Sequence, residues 1–143
     1  MKIKIVNKSD NPTPQYQTSM SAGMDMHAYI DKDIVLHPME RTLVPTGLYI
    51  ELPAGYEAQV RPRSGLAAKY GITLLNSPGT IDADYRGEIK VILINLSSEN
   101  FTIRSGDRIA QLIVGHYEKV EWEVVAKIND TERKSGGFGS TGN

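Results

Sequence analysis

Short apolar segments separated by proline and glycine constrain the fold of this chain more than any other feature. Turn-forming residues such as Pro38, Pro45, Pro53, Pro78 and Gly106 interrupt the chain at close intervals. Many short strands separated by such turns are typical of a β sandwich or barrel. We therefore predict an all-β domain with strands over residues 3–6, 33–36, 47–52, 56–60, 72–75, 89–95, 108–114 and 122–125.

One segment, residues 64–70, has the sequence of a short helix. Ser64 is suited to the N-cap position, and Gly71 is suited to end the helix. The N–H groups at a helix N-terminus attract anions, and Arg63, Ser64 and Gly65 would add donors there. An ordinary capped helix has a similar sequence, so this segment alone leaves both interpretations open.

The segment richest in charged and polar side chains that could act in catalysis is residues 79–88. It contains three acidic residues, Asp82, Asp84 and Glu88, with Tyr85 and an arginine. Apolar runs lie before and after it, so we expect the cluster to form a turn held by two strands. Turns on a rigid scaffold are common places for catalytic groups. An ordinary hairpin with polar, solvent-exposed residues at its turn would have the same sequence pattern.

Two polar residues interrupt apolar surroundings elsewhere. Asp25 lies in the segment Ala-Gly-Met-Asp-Met, where a structural salt bridge explains it as well as a catalytic role does. Gln111 lies in an apolar run after Gly106, and it needs a hydrogen-bond partner if it is buried. Asp107 and Arg108, which lie between Gly106 and Gln111, can simply pair with neighbouring side chains.

The C-terminal segment differs from the rest. We divide the chain into a β domain, residues 1–128, and a mobile C-terminal segment, residues 129–143, because the Gly/Ser-rich tail cannot form a core. A frayed terminus is one interpretation. The other is a lid, in which Arg133 and the hydroxyls bind phosphate and Phe138 covers a ring.

Composition excludes several classes of protein. At 143 residues with a net charge of −1, the chain is one domain and is not built to coat nucleic acid or a membrane. It has no cysteine and therefore no disulfide or thiolate metal site. Its three histidines lack metal-ligand spacing. We expect a soluble, cytoplasmic protein, and any metal to arrive on the phosphates of a substrate.

These segments together, in this order, resemble the homotrimeric dUTPases (deoxyuridine 5'-triphosphate nucleotidohydrolases). The five motifs of that family match AGMDM at residues 22–26, PRSGL at 62–66, GTIDADYRGE at 79–88, GDRIAQ at 106–111, and the tail at 133–142. The resemblance covers nearly the whole chain. Each motif is modest alone, but the ordered set is specific. Lys134 departs from the family, which often has glycine there.

The resemblance implies a jelly-roll subunit with one short helix, and a symmetric trimer in which three subunits build each active site. It implies hydrolysis of dUTP to dUMP and pyrophosphate, with Mg2+ carried by the triphosphate and no metal ligand supplied by the protein. This activity keeps uracil out of DNA and supplies dUMP for thymidylate synthesis. Neither nucleic acid nor a membrane is an expected partner.

The resemblance also implies roles for individual residues. Asp82 would activate the attacking water, and Asp25 would support the polar network near the metal-bound waters. Asn76 and the backbone of Thr80 and Ile81 would read the uracil, and Tyr85 would pack beneath the deoxyribose. The remaining substrate-binding residues would be Arg63, Ser64, Gly65, Lys90 and Gln111, with the tail residues Arg133, Phe138, Gly139, Ser140 and Thr141.

Two rival functions remain at this point. A dCTP deaminase, or its bifunctional form that continues to dUMP, shares the jelly roll and a similar Thr-Ile-Asp turn. The Ala-Asp-Tyr-Arg-Gly continuation and the Gly-Gly-Phe-Gly tail favour dUTPase. A non-catalytic nucleotide-binding or signalling protein on the same fold is the other rival, against which the intact Asp82 and tail argue.

Overall fold

The structure is a computed structural model that describes residues 1–137. Within that range the chain forms ten strands and one helix. In chain order these are β1 (Lys4–Asn7), β2 (Met24–His27), β3 (Ile34–Leu36), β4 (Arg41–Glu51), β5 (Tyr56–Arg61), α1 (Ser64–Tyr70), β6 (Ile72–Leu74), β7 (Gly79–Ile81), β8 (Ile89–Asn95), β9 (Phe101–Ile103) and β10 (Arg108–His116).

Antiparallel pairing organises these strands into two four-stranded sheets and a small ribbon. The first sheet has the order β1-β4-β8-β6, the second has the order β2-β10-β5-β7, and β3 pairs with β9. This arrangement matches the jelly-roll-like fold, so the all-β prediction is confirmed. Among the described residues, no helix is long and apolar enough to cross a membrane.

One apolar core joins the sheets. Every second residue along the strands contributes an apolar side chain to it. Along β8, Ile89, Val91 and Leu93 are fully buried, whereas the residues between them are exposed or half-buried. Met26 of β2 and Ala110 of β10 belong to the same buried cluster. Burying a side chain of this size contributes about 1.5–3 kcal/mol for each large aliphatic residue, so this core holds the site-bearing strands in place.

The helix has the predicted bounds but a different cap. Arg63, rather than Ser64, takes the N-cap position, with extended backbone and no side-chain cap bond. The carbonyl of Arg63 accepts the first helical bond from Ala67, so Ser64 is already inside the helix. The C-terminal prediction is confirmed, because Gly71 has φ +65° and closes the helix. A Cβ at Gly71 would lie 2.9 Å from that of Ser97.

The strand predictions succeeded except at a few positions. The predicted strand over residues 47–52 begins earlier, at Arg41, and Pro45 lies within it instead of ending it. The predicted strand over residues 122–125 is wrong: the structure gives no strand there, and Trp122 is 86% exposed. A strand needs a partner to bond with its backbone. Strands β2, β7 and β9 were not predicted, because they are short or rich in polar residues.

Candidate active site

The acidic segment, residues 79–88, does not form the simple hairpin that its flanking runs predict. Strands β6 and β8 do pair with each other in the first sheet. The chain between them crosses to the second sheet, however, where β7 pairs with β5 and Ile81 lies opposite Ala58. The charged cluster is therefore flanked by a strand of the second sheet, β7, and a strand of the first sheet, β8.

Asp82 follows β7 directly and shares an open depression with Tyr85 and Lys90. Asp82 is exposed, and its carbonyl accepts a hydrogen bond from the backbone N–H of Tyr85 at 3.1 Å. The Tyr85 hydroxyl donates to the carbonyl of Glu88 at 2.9 Å and lies where a side chain at Gly87 would be. The loop thus holds the phenol ring of Tyr85 at the depression that Asp82 also lines.

The start of the same segment presents an amide and backbone groups. The Asn76 side chain lies against Gly79, since a Cβ there would be 2.9 Å from its Nδ2 atom. Thr80, in β7, is exposed and also lines the depression with Ile81. The structure therefore brings together five of the predicted site residues around one depression: Thr80, Ile81, Asp82, Tyr85 and Lys90.

A second group of assigned residues surrounds Asp25. Its Oδ1 atom accepts a hydrogen bond from Arg63 Nε at 2.9 Å, and its Oδ2 atom accepts one from Arg108 Nη1 at 3.1 Å. The Asp25 side chain is only 15% exposed. The salt bridge that the sequence left open is therefore present, and it orients Arg63, whose Nη1 also donates to the Arg108 carbonyl. Sequence reasoning gave Arg108 no functional role.

Strand register explains why this second group converges. Gln111 of β10 lies opposite Asp25 on one side and opposite Arg61 on the other. The Gln111 amide donates to the carbonyl of Pro62 at 2.9 Å, so the expected partner is present. A Cβ at Gly23 would collide with the end of the Gln111 side chain, so a larger residue there would move the Gln111 amide from its position.

His27, the last residue of β2, lies beside this charged group. Burial lowers the pKa of His27 below its usual value of 6.5. Asp25 opposes this effect, while the guanidinium groups of Arg108 and Arg63 add to it. Folding therefore favours the neutral imidazole relative to the charged form.

The two groups occupy different ends of β5. Ile81 lies opposite Ala58, six residues before Ser64, and an extended chain of that length spans about 20 Å. The depression around Asp82 shares no lining residue with the polar cleft formed by Arg63 and Arg108. Within one subunit the predicted site residues therefore form two separate groups, an Asp82 half-site and an Arg63 half-site. Ser64 and Gly65 are exposed at the start of α1, on the Arg63 side.

The tail is described only to Gly137. Arg133 Nε donates to the carbonyl of Gly136 at 2.8 Å, and Lys134 has a positive φ of 48°. The left-handed conformation suits the glycine that the family often has at that position. The predicted residues Phe138, Gly139, Ser140 and Thr141 lie outside the described residues.

Comparisons with known proteins agree with the motif order. The dUTPase family model matches residues 9–142. The chain belongs to the dUTPase family. It is 58% identical to the deoxyuridine 5'-triphosphate nucleotidohydrolase of Finegoldia magna, over 99% of both chains. It is 63% identical to the enzyme of that name from Cytophaga hutchinsonii, over 98% of this chain and 91% of the other.

Solved dUTPase structures share the fold at much lower identity. The dUTPase of Staphylococcus bacteriophage 80alpha, solved with dUpNHpp, superposes with a TM-score of 0.84 over 99% of both chains at 23% identity. The dUTPase from phage phi11 of S. aureus, described with a structural Mg(II) ion, gives a TM-score of 0.80 over 91% of this chain at 20% identity. Membership of the dUTPase family and the predicted fold are thus confirmed.

Proposed function

We propose that this chain hydrolyses dUTP to dUMP and pyrophosphate. The observation that carries the proposal is the full set of dUTPase motifs on a dUTPase fold, with Asp82, Tyr85 and Lys90 around one depression. The named relatives at 58% and 63% identity are nucleotidohydrolases, which favours hydrolysis over deamination. We expect the enzyme to act on the cytoplasmic nucleotide pool, keeping uracil out of DNA and supplying dUMP.

Asp82 is the proposed general base. The oxygen of a bound water attacks the α-phosphorus while its proton passes to the Asp82 carboxylate. The bond from that phosphorus to the bridging oxygen breaks, and pyrophosphate leaves with the electron pair. The position of Asp82 at the end of β7 supports this role, because the strand holds it rigidly while its side chain stays exposed.

Substrate selection follows from the surrounding segment. Backbone groups of Thr80 and Ile81, with the Asn76 amide, distinguish uracil from cytosine because cytosine reverses the donor and acceptor pattern. A mismatched base would leave buried polar groups unpaired, which gives strong discrimination. The Tyr85 ring, fixed by its bond to the Glu88 carbonyl, packs under the sugar and leaves no room for a 2'-hydroxyl.

Donors on the other half-site hold the phosphates. Ser64 and Gly65 are exposed at the start of α1, which has no acidic residue in its first turn to repel an anion. Arg63 is held in place by Asp25, and Gln111 lies nearby through its bond to Pro62. The tail residues Arg133, Phe138, Gly139, Ser140 and Thr141 are proposed to close over the nucleotide.

Mg2+ fits this site as an ion bound to the substrate's triphosphate and not to protein ligands. Both carboxylate oxygens of Asp25 already bond to arginines, and the described residues contain no cluster of three acidic or histidine side chains able to hold a metal. Magnesium that keeps its waters and binds phosphates needs no such cage. When bound, it would neutralise charge on the phosphates. Asp25 would then act as a supporting group and not as a ligand.

A homotrimer with shared sites is the proposed assembly. The placement of the two half-sites supports it: Asp82 follows the strand that pairs with β5 at Ala58, whereas Ser64 lies beyond the other end of β5. One nucleotide would contact both half-sites more readily across a subunit interface. Exposed apolar side chains also support association: Trp122 is 86% and Val124 95% exposed. A closed three-fold ring repeats one interface three times.

Parallel assays test the activity. Pyrophosphate release should occur with dUTP and Mg2+ and be at least about 100-fold slower with dCTP, because cytosine reverses the polar pattern of uracil. It should be about 10- to 100-fold slower with dTTP and UTP, whose extra methyl or hydroxyl group is excluded by shape. Ammonia release from dCTP would instead establish a deaminase. Asp82→Asn should lower kcat by roughly 100- to 10,000-fold, the usual contribution of a general base. Binding of a non-hydrolysable dUTP analogue should change little.

Asp84→Asn is the matched control, since Asp84 is an exposed carboxylate of the same loop. That variant should keep near-normal turnover. An equal loss in both variants, or a loss of binding in Asp82→Asn as large as its loss of rate, would contradict the assignment of the base.

Mixing two inactive variants tests the shared site. One carries Asp82→Asn, and the other carries Ser64→Ala with Gln111→Ala; each should be inactive when refolded alone. If the half-sites come from different chains, each mixed trimer contains about one complete site of three. Random refolding of equal amounts should then restore about a quarter of wild-type activity. Verified mixed trimers without activity would show that a single chain supplies both groups.

A further inference from the structure

Strand β4 contains an irregularity at the base of the catalytic loop. Pro45 pairs with Lys90 of β8, but the next pair joins Leu48 to Ile89, so Thr46 and Gly47 bulge out of the ladder. Bulges re-aim the neighbouring chain and often lie beside active sites. This one lies opposite the point at which the loop carrying Asp82 enters β8.

Side chains satisfy the polar groups of the bulge. The Gly47 N–H donates to Glu88 Oε1 at 2.9 Å. The hydroxyl of Thr46, which is fully buried, donates to the Ile89 carbonyl at 2.6 Å and accepts the Leu48 N–H at 3.3 Å. The bulge is thus bonded to two successive residues of the loop's return path.

Glu88 connects the bulge to the substrate half-site. Its other carboxylate oxygen lies 3.5 Å from the ammonium group of Lys90, and its carbonyl accepts the Tyr85 hydroxyl at 2.9 Å. The Glu88 side chain is 18% exposed, so the bonds to Gly47 and Lys90 lie partly out of solvent. One residue therefore contacts the bulge, the Tyr85 hydroxyl and the ammonium group of Lys90.

We propose that Glu88 is a positioning residue for dUTP hydrolysis, acting through its hydrogen bond to Gly47 to set Tyr85 and Lys90 against the nucleotide. The inference rests on the proposed function, in which those two residues contact substrate. Glu88 lines the same depression, but one of its carboxylate oxygens bonds to Gly47 and the other lies beside Lys90, so it acts on substrate through its neighbours. Small displacements of positioning groups reduce rates markedly, by up to about 100-fold for 1 Å.

Three variants of Glu88 separate the effect of side-chain length from the effect of the negative charge. Glu88→Gln keeps an oxygen that can accept the Gly47 N–H, and it loses the charge beside Lys90. Glu88→Asp keeps the charge but is one methylene too short to reach Gly47. Glu88→Ala loses both. We expect kcat/KM for dUTP to fall about tenfold in the alanine and aspartate variants, mainly through KM, and less than about threefold in the glutamine variant.

Glu40→Ala is the control for general loss of a carboxylate-to-backbone bond. Glu40 Oε2 accepts the His37 N–H at 2.8 Å on an exposed loop that carries no site residue. Its kcat/KM should stay within about twofold of wild type. The amide proton shift of Gly47, measured by NMR, should move upfield in the alanine and aspartate variants and stay near its wild-type value in the glutamine variant.

Several results would overturn the proposal. Unchanged kcat/KM in Glu88→Asp, or in folded Glu88→Ala, would show that the Gly47 bond does not position the site. A tenfold loss in Glu88→Gln with its Gly47 shift preserved would assign the effect to the charge beside Lys90. If wild type fails to hydrolyse dUTP, the proposed function is wrong, whereas the Gly47 shifts still report the hydrogen bond.

Discussion

Replacing Asp25 with asparagine should destabilise the protein to an extent that the structure allows us to estimate. The Asp25 carboxylate is 15% exposed and bonds to two arginines of different exposure. Arg63, at 2.9 Å, is 25% exposed, whereas Arg108, at 3.1 Å, is 55% exposed. The amide keeps the shape of the side chain but removes the negative charge that both guanidinium groups require.

The two bonds contribute unequally. A hydrogen bond to a charged group contributes about 1.5–3 kcal/mol when it is largely out of water, which applies to Arg63. A pair with a mostly exposed partner contributes about 0.2–1 kcal/mol, which applies to Arg108. The loss in Asp25→Asn should therefore be roughly 2–3 kcal/mol, with most of it from Arg63. For a chain of this size that lowers Tm by roughly 6–10 °C.

Thermal and urea unfolding at one fixed protein concentration measure this loss, because association makes apparent stability depend on concentration. Double-mutant cycles with Arg63→Gln and Arg108→Gln then separate the two pairs. The coupling of Asp25 to Arg63 should exceed its coupling to Arg108. A total loss below about 0.5 kcal/mol, or a larger coupling to Arg108, would refute the reasoning from burial.

Two further predictions concern the tail and pH. Deleting residues 133–143 should abolish most dUTP hydrolysis while changing Tm by less than about 2 °C, because Arg133 and its described neighbours are exposed and bond locally; a large fall in Tm would show a structural tail. Because folding lowers the pKa of His27 below 6.5, the unfolded chain binds more protons, and stability should fall as pH drops below about 6.5. His27→Gln should flatten that dependence in urea titrations between pH 7 and 5, and an unchanged slope would contradict the shift.

Much of the fold could be predicted because strand signals are local. Alternating apolar residues and flanking turns identified β5 and β8 almost to the residue. Pro45 misled the prediction, since proline usually ends a central strand, but here it lies at a bulge whose partners are distant in sequence. Strand β7 was missed because three residues, two of them glycine and threonine, give little periodicity.

The predicted strand over residues 122–125 failed for a different reason. Val120, Trp122 and Val124 alternate with glutamates, as in a half-buried strand, yet all three are exposed in the single chain. An alternating sequence pattern shows which face of a segment is apolar enough to be buried. It does not show which part of the molecule, or which other chain, covers that face. Exposed apolar surface of this kind marks sites of association. The same residues that gave a wrong strand in one subunit therefore support the proposed oligomer.

The site itself depends on register, which sequence does not show. In the second sheet, β10 carries Gln111 to the level of Asp25 on β2 and of Arg61 on β5, so three separated motifs meet at one end. Strand β7 joins the same sheet but pairs with β5 three residues away, opposite Ala58, and carries the Asp82 loop toward the other end. One sheet order thus accounts both for the convergence of the arginine group and for its distance from the proposed base. A triphosphate that needs both groups is most simply bound where two copies of this chain meet.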